Sequence, residues 1–368
     1  MSSDSQRVPR KTLSAQQVSR EATWWDKDNK DYDAVVFVHG ILGDQIGTWG
    51  HFPALLHDDP DLPKLAILHW GYKSALVPGR YHDIALESQG LTSDLRLLTH
   101  EGEAIHLVAH SMGGLIALRS LTQAAASRRA RAHPIDSVSL VTLYATPLQG
   151  SALAKLIMGQ VSKRRWLTFA SRFLPRRQLE DLQPIGFVDE LQSDIRQYLT
   201  PVDLEAETSE TRVTVQVVVG KDDDAVTIDS AEGPFDGDPE TLLLEGTHST
   251  VKLPDHLEDV RYISLKQNLV RKLSHRLHGW ARTWRDGGTA TASRMAAVRV
   301  AEQYESQLGE CFELCFGGRY LTAAEEDAVF TTFLDFAAGD THSPAELITM
   351  TVAAMTVPDS VLPAPPAA

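Results

Sequence analysis

The chain has 368 residues, 43% of them hydrophobic and 23% charged, with a formal net charge of −14. That composition fits a globular protein with a large core, and the negative balance sets nucleic-acid binding aside, because like charges repel along a phosphate backbone. Two cysteines, Cys311 and Cys315, exclude a disulfide framework and alone make a poor metal site. Spaced by four, they share a helix face and read as small buried residues in a reducing compartment.

Residues 1–30 form a polar N-terminal segment without the apolar stretch of a secretory signal. No run reaches the roughly 18 apolar residues of a membrane span, so the expected location is the cytoplasm, with peripheral membrane association as an option. From Asp33 the pattern changes. "DAVVFVHG" is a short β-branched run closed by glycine, which reads as a buried strand. "KLAILHW" (Lys64–Trp70) is a second, and Leu91, Leu95 and Leu98 mark a helix after it. "AIHLVAH" (Ala104–His110) is a third strand, "GGLIALRSLTQAAASRR" a helix, and "SVSLVTLYAT" (Ser137–Thr146) a fourth strand. A largely helical insertion, about 150–205, follows. "TRVTVQVVVG" (Thr211–Gly220) and "ETLLLEG" (Glu240–Gly246) are the fifth and sixth strands, and the chain is helical from Asp255. Buried strands alternating with helices predict an α/β fold over 31–280, a mostly parallel sheet with functional groups at the strands' carboxyl ends.

A linker, 281–290, then leads to a small C-terminal helical appendage, 291–357, read as three helices. Val300, Tyr304, Leu308 and Phe312 recur at helical spacing before Gly317-Gly318, and "TAAE" (Thr322–Glu325) and "SPAE" (Ser343–Glu346) are capping boxes. The Pro/Ala-rich tail, 358–368, reads as disordered.

Ser111 lies where the third strand meets the next helix, in "VAHSMGGL". A tight strand–turn–helix strains the central residue and lifts its side chain clear of the sheet, provided the flanking positions, here Ala109 and Gly113, are small. Ser111 is therefore the candidate nucleophile rather than an ordinary helix-capping serine. A serine hydroxyl needs a base and an orienting carboxylate, which in this arrangement follow in the order Ser, Asp or Glu, His. His248 follows the last strand. Asp222, Asp223 and Asp224 follow the fifth; Gly220 and Val226 put Asp223 in register, with Asp224 the alternative. His106 and His110 read as structural, one inside the strand and the other projecting away from the turn. Oxyanion donors are expected from the backbone N–H of Met112, at a helix N-terminus, and of Ile41, in "VFVHGILGD" after the first buried strand, with His39 a scaffold residue of that loop.

Together these residues resemble the α/β-hydrolase superfamily, and within it the lipases and esterases. "GTWGHFPALL", "LAILHWGYKSAL", "TLYATPLQGSALA" and "LEDLQPIGFVDELQSDI" are similar to the branch that holds GPI inositol-deacylases and serine-active-site lipid-remodelling proteins. The resemblance covers about 33–275 and leaves 291–368 aside. It implies an α/β-hydrolase fold with a cap, and a serine carboxylester hydrolase acting on a hydrophobic acyl or lipid ester through an acyl-enzyme, without a metal or cofactor. The alternative is a catalytically silent scaffold, or an effector whose C-terminal helices bind a partner or a second copy.

Residues 155–177, "KLIMGQVSKRRWLTFASRFLPRR", carry seven basic and no acidic residues, interleaved with Trp166, Phe169 and Phe173. In so acidic a chain this segment suits an anionic membrane surface. A cap with one face packed and its basic face solvated is the other reading.

Overall fold

The structure, a computed structural model, describes residues 16–17, 22–24, 32–41, 43–72, 84–98, 104–126, 137–149, 185–199, 213–233, 235, 240–339 and 342–356. Its frame is one eight-stranded sheet of order β1-β2-β4-β3-β5-β6-β7-β8. The strands are β1 (Gln16–Gln17), β2 (Ala22–Trp24), β3 (Ala34–Val38), β4 (Ala66–Trp70), β5 (Ile105–His110), β6 (Val138–Tyr144), β7 (Thr214–Gly220) and β8 (Glu240–Leu244). The run β4-β3-β5-β6-β7-β8 is parallel throughout. These are the six strands expected from the sequence.

Parallel strands are covered by helices on both faces, which is why they read as unbroken apolar runs. Along β3, Ala34, Val36 and Val38 enter one core while Val35 and Phe37 enter the other. The first core lies under α2 (Ile84–Leu98), α3 (Met112–Ala126) and α4 (Ile185–Tyr198). The second lies under α1 (Phe52–Asp58) and the first half of α6 (Val260–Arg285). A five-residue helix, α5 (Ile228–Glu232), follows β7.

The polar N-terminal segment contributes to the sheet after all. β2 pairs antiparallel with β4, Thr23 opposite His69, and β1 pairs with β2. Strands of two and three residues are too short to show a period in sequence. The insertion also differs from a pure cap. Its later part is α4, whose Val188, Leu191 and Ile195 are buried in the first core and whose Glu190 and Asp194 pair with Arg119 of α3.

Four helices complete the described chain where three were read: α7 (Ala290–Gln303), α8 (Glu305–Phe316), α9 (Ala323–Gly339) and α10 (Pro344–Thr356). α7 and α8 share one apolar period, but the helix breaks at Tyr304, whose hydroxyl donates to the Leu273 carbonyl at 3.1 Å. Both capping boxes form reciprocally: Glu325 N–H to Thr322 Oγ1 with Thr322 N–H to Glu325, and the same between Ser343 and Glu346. α6 runs unbroken to Arg285, through the first residues read as linker. Its second half supplies Leu277 and Ala281 to a third core with Val300, Tyr304, Leu308, Phe333 and Leu347.

Buried Asp33 fixes these helices to the sheet. It accepts from Ala104 N–H at 2.8 Å, Arg276 Nε at 3.0 Å and Gln303 Nε2 at 3.2 Å. Asp33 and Ala104 immediately precede β3 and β5, so the C-terminal helices dock at the amino ends of the strands. The carboxyl ends are left for chemistry.

Candidate active site

Ser111 is the joint between β5 and α3. Its φ is +55°, and among the described residues it shares this left-handed region with Ala145 as the non-glycine cases. A side chain there costs backbone strain, which the surroundings must hold in place. The Ser111 N–H donates to the Tyr144 carbonyl at 2.9 Å, and Gly114 N–H donates to the Ser111 carbonyl at 3.0 Å. Close packing does the rest. A Cβ on Gly113 would lie 2.3 Å from the His39 carbonyl oxygen, so the first turn of α3 presses on the chain leaving β3. A Cβ on Gly40 would lie 2.8 Å from both His110 Nδ1 and Ser111 Cβ, so that chain is pressed against the elbow.

His248, in the loop after β8, turns its Nε2 to Ser111 Oγ at 3.1 Å and its Nδ1 to Asp223 Oδ2 at 2.8 Å. An ionised carboxylate only accepts, so Nδ1 carries the proton and Nε2 is left to accept from the serine. The other oxygen, Asp223 Oδ1, accepts from the N–H groups of Ala225 and Val226, both at 2.9 Å. Burial alone works to raise the Asp223 pKa; the His248 contact and the two backbone N–H groups outweigh it and hold the carboxyl below its ordinary value. Asp222 and Asp224 stay exposed. The structure therefore brings Ser111, His248 and Asp223 together in one hydrogen-bonded line and leaves Asp224 outside it.

Met112 is the first residue of α3, and half-buried Ile41 follows Gly40 in the loop pressed on the elbow. His39 braces that loop. Its Nδ1 donates to the Gly40 carbonyl at 2.8 Å, its Nε2 accepts from Tyr72 N–H at 3.1 Å, and its ring stacks on Tyr72 at 4.6 Å. Burial lowers its pKa, so the neutral tautomer that both contacts need persists.

Neither of the other two histidines hydrogen-bonds Ser111. His106 lies fully inside β5, its Nδ1 3.1 Å from Ser139 Oγ, and burial pushes it down to about 4. His110 instead reaches the His248 carbonyl. Buried Lys252 was not foreseen in the sequence. Its Nζ donates to the Ser249 carbonyl at 2.5 Å, and burial brings it down to about 8. No sequence signal marks either contact, since both end on backbone carbonyls.

Among the described residues, no group of three or more His, Cys, Asp or Glu side chains is placed to hold a metal ion, and no helix is long and apolar enough to cross a membrane. The basic segment 155–177 lies outside the described residues.

A model of the alpha/beta hydrolase family matches residues 35–260. Solved structures similar to the chain include a bacterial membrane phospholipase A described as a virulence factor, at 15% identity and a TM-score of 0.41, covering 70% of this chain and 86% of that one. Esterase Pf2001 of Pyrococcus furiosus is similar at 14% identity and a TM-score of 0.41, covering 68% and 84%. Esterase B of Lactobacillus rhamnosis is similar at 16% identity and a TM-score of 0.43, covering 73% and 88%. No curated protein matches the chain.

Proposed function

The chain belongs to the alpha/beta hydrolase family, and from that premise we propose that it is a serine carboxylester hydrolase acting on hydrophobic acyl or lipid esters. The observation that carries this reading is the line Asp223–His248–Ser111, with contacts of 2.8 and 3.1 Å, at the carboxyl end of the parallel sheet.

The mechanism follows from which atoms face each other. His248 Nε2 takes the Ser111 proton as Oγ attacks the acyl carbonyl carbon. The carbonyl oxygen becomes an oxyanion and is held by the N–H groups of Met112 and Ile41, each such donor being worth about 10²–10³ in kcat. Asp223 keeps the His248 proton on Nδ1 and stabilises the imidazolium that forms. The imidazolium passes its proton to the leaving alkoxide, and the tetrahedral intermediate collapses to an acyl-Ser111. Water, deprotonated by His248, then attacks the acyl-enzyme and regenerates the serine.

A lipid ester is the substrate class we favour. The segments similar to GPI inositol-deacylases and lipid-remodelling proteins support it. So do the seven basic residues of 155–177, each able to contribute about 1 kcal/mol at an anionic surface. The test is a series of esters from acetyl to palmitoyl, with a thioester beside them, run with neutral or anionic vesicles. Turnover should rise with acyl length and rise further with anionic vesicles, to which the chain should float. Failure to hydrolyse any acyl ester contradicts the reading, and equal flotation with both vesicle types contradicts its membrane part.

A further inference from the structure

The reactive atom of a general base is only as well placed as the backbone that carries it. His248 sits in a single turn, Thr247 to Val251, closed by Thr250 N–H and Val251 N–H donating to the Thr247 carbonyl at 3.1 Å. A turn that does not continue as a helix leaves its next carbonyls without backbone partners. Here side chains take them. The Ser249 carbonyl accepts from Lys252, a residue of the same loop. The His248 carbonyl lies 2.8 Å from Nε2 of His110, which comes from the end of β5, one residue before the nucleophile.

A carbonyl only accepts, so His110 must donate from Nε2 and carry its proton there. The ring is held for this. It is buried, 5.0 Å from the His248 ring and 6.5 Å edge-on from Trp49, and its Nδ1 lies 2.8 Å from where a Cβ on Gly40 would stand. Burial, with the neighbouring Lys252, His248 and His39, keeps His110 well below its ordinary pKa and hence neutral.

We propose that His110 is a positioning residue, whose Nε2–H holds the His248 carbonyl and thereby sets the reach of the His248 imidazole to Ser111. The proposal rests on the triad reading above. It gives one short segment of β5 two jobs: presenting the nucleophile and anchoring the base that activates it.

The test compares substitutions of one position in the full chain, read as kcat and KM for a short-chain ester and as the rate of fluorophosphonate labelling. His110→Leu removes the donor and keeps bulk. His110→Gln carries an amide nitrogen out to the Nε2 position, whereas His110→Asn stops at the Nδ1 position. We expect His110→Leu and His110→Asn to lose about 10²-fold in kcat, the scale of a roughly 1 Å misplacement, with KM little changed and labelling slowed in parallel. His110→Gln should recover most of that loss. Should His110→Leu not fold, the Gln and Asn variants carry the comparison alone. A His110→Leu variant with wild-type kcat, or Gln and Asn variants equally impaired, overturns the proposal. Wild-type chain left unlabelled at Ser111 overturns the triad reading and this proposal with it, so the two failures are told apart by the wild-type arm.

Discussion

At the scale of single residues, Asp223 decides which nitrogen of His248 is free to accept a proton. Its Oδ1 is bound to its own loop through Ala225 and Val226, which leaves Oδ2 aimed at Nδ1. Asp223→Asn keeps the shape but allows the other imidazole tautomer, in which Nε2 carries the proton and cannot take one from Ser111. We predict a fall in kcat of about 10⁴-fold with KM little changed, measured on a short-chain ester. Asp224→Asn, at an exposed position, should leave kcat unaltered within about twofold; equal losses in the two variants would point to an acid outside the line described. The run of three aspartates does not by itself say which one meets His248, and the Gly220-to-Val226 spacing favours Asp223 while leaving Asp224 as the alternative. In the structure the Asp223 carboxylate caps its own turn with one oxygen and meets His248 with the other. His110 was legible only as a structural histidine, since sequence does not say which carbonyl a side chain will meet across 138 residues of chain.

At the scale of elements, α6 is the member that the second and third cores share. Tyr262, Leu265, Leu269 and Leu273 face the sheet, and Leu277 and Ala281 face the C-terminal helices. One continuous helix cannot lose half its packing without weakening the other half. Leu277→Ala is therefore predicted to cost about 2–5 kcal/mol and to shift a single urea transition that reports both the sheet and the C-terminal helices. Two separate transitions, with only the second shifted, would show that the two parts unfold independently. The helix starts at the capping boxes were readable because a cap is a local hydrogen-bond pattern. The break at Tyr304 was not, because the apolar period runs on across it. Nor was the placement of α4, since an amphipathic stripe does not say which neighbour will cover it.

At the scale of the whole molecule, the α/β-hydrolase fold was legible because strands buried on both faces leave unbroken apolar runs between helices. The chain order Ser, Asp, His pointed to the three residues that the structure brings into one hydrogen-bonded line. The same burial makes stability depend on pH. His69 and His106 are pushed down to about 4 from the ordinary 6.5 by burial, and His110 also lies well below it. Between these values the unfolded chain binds more protons than the folded one, so stability is full above about 6.5 and is lost as the pH falls toward 4. The lowered carboxyl of Asp223 adds a loss in the same direction at lower pH. Urea midpoints should thus decrease steadily from pH 7 to pH 4; a flat profile would mean that the buried histidines are charged in the fold.

The central claim is that Ser111 is a nucleophile activated by His248. It is tested most directly by treating the full chain with a fluorophosphonate and locating the adduct by mass spectrometry. Activation at this site predicts one adduct on Ser111, absent in Ser111→Ala and strongly slowed in His248→Gln. An unlabelled wild-type chain, or labelling that persists in Ser111→Ala, would contradict it.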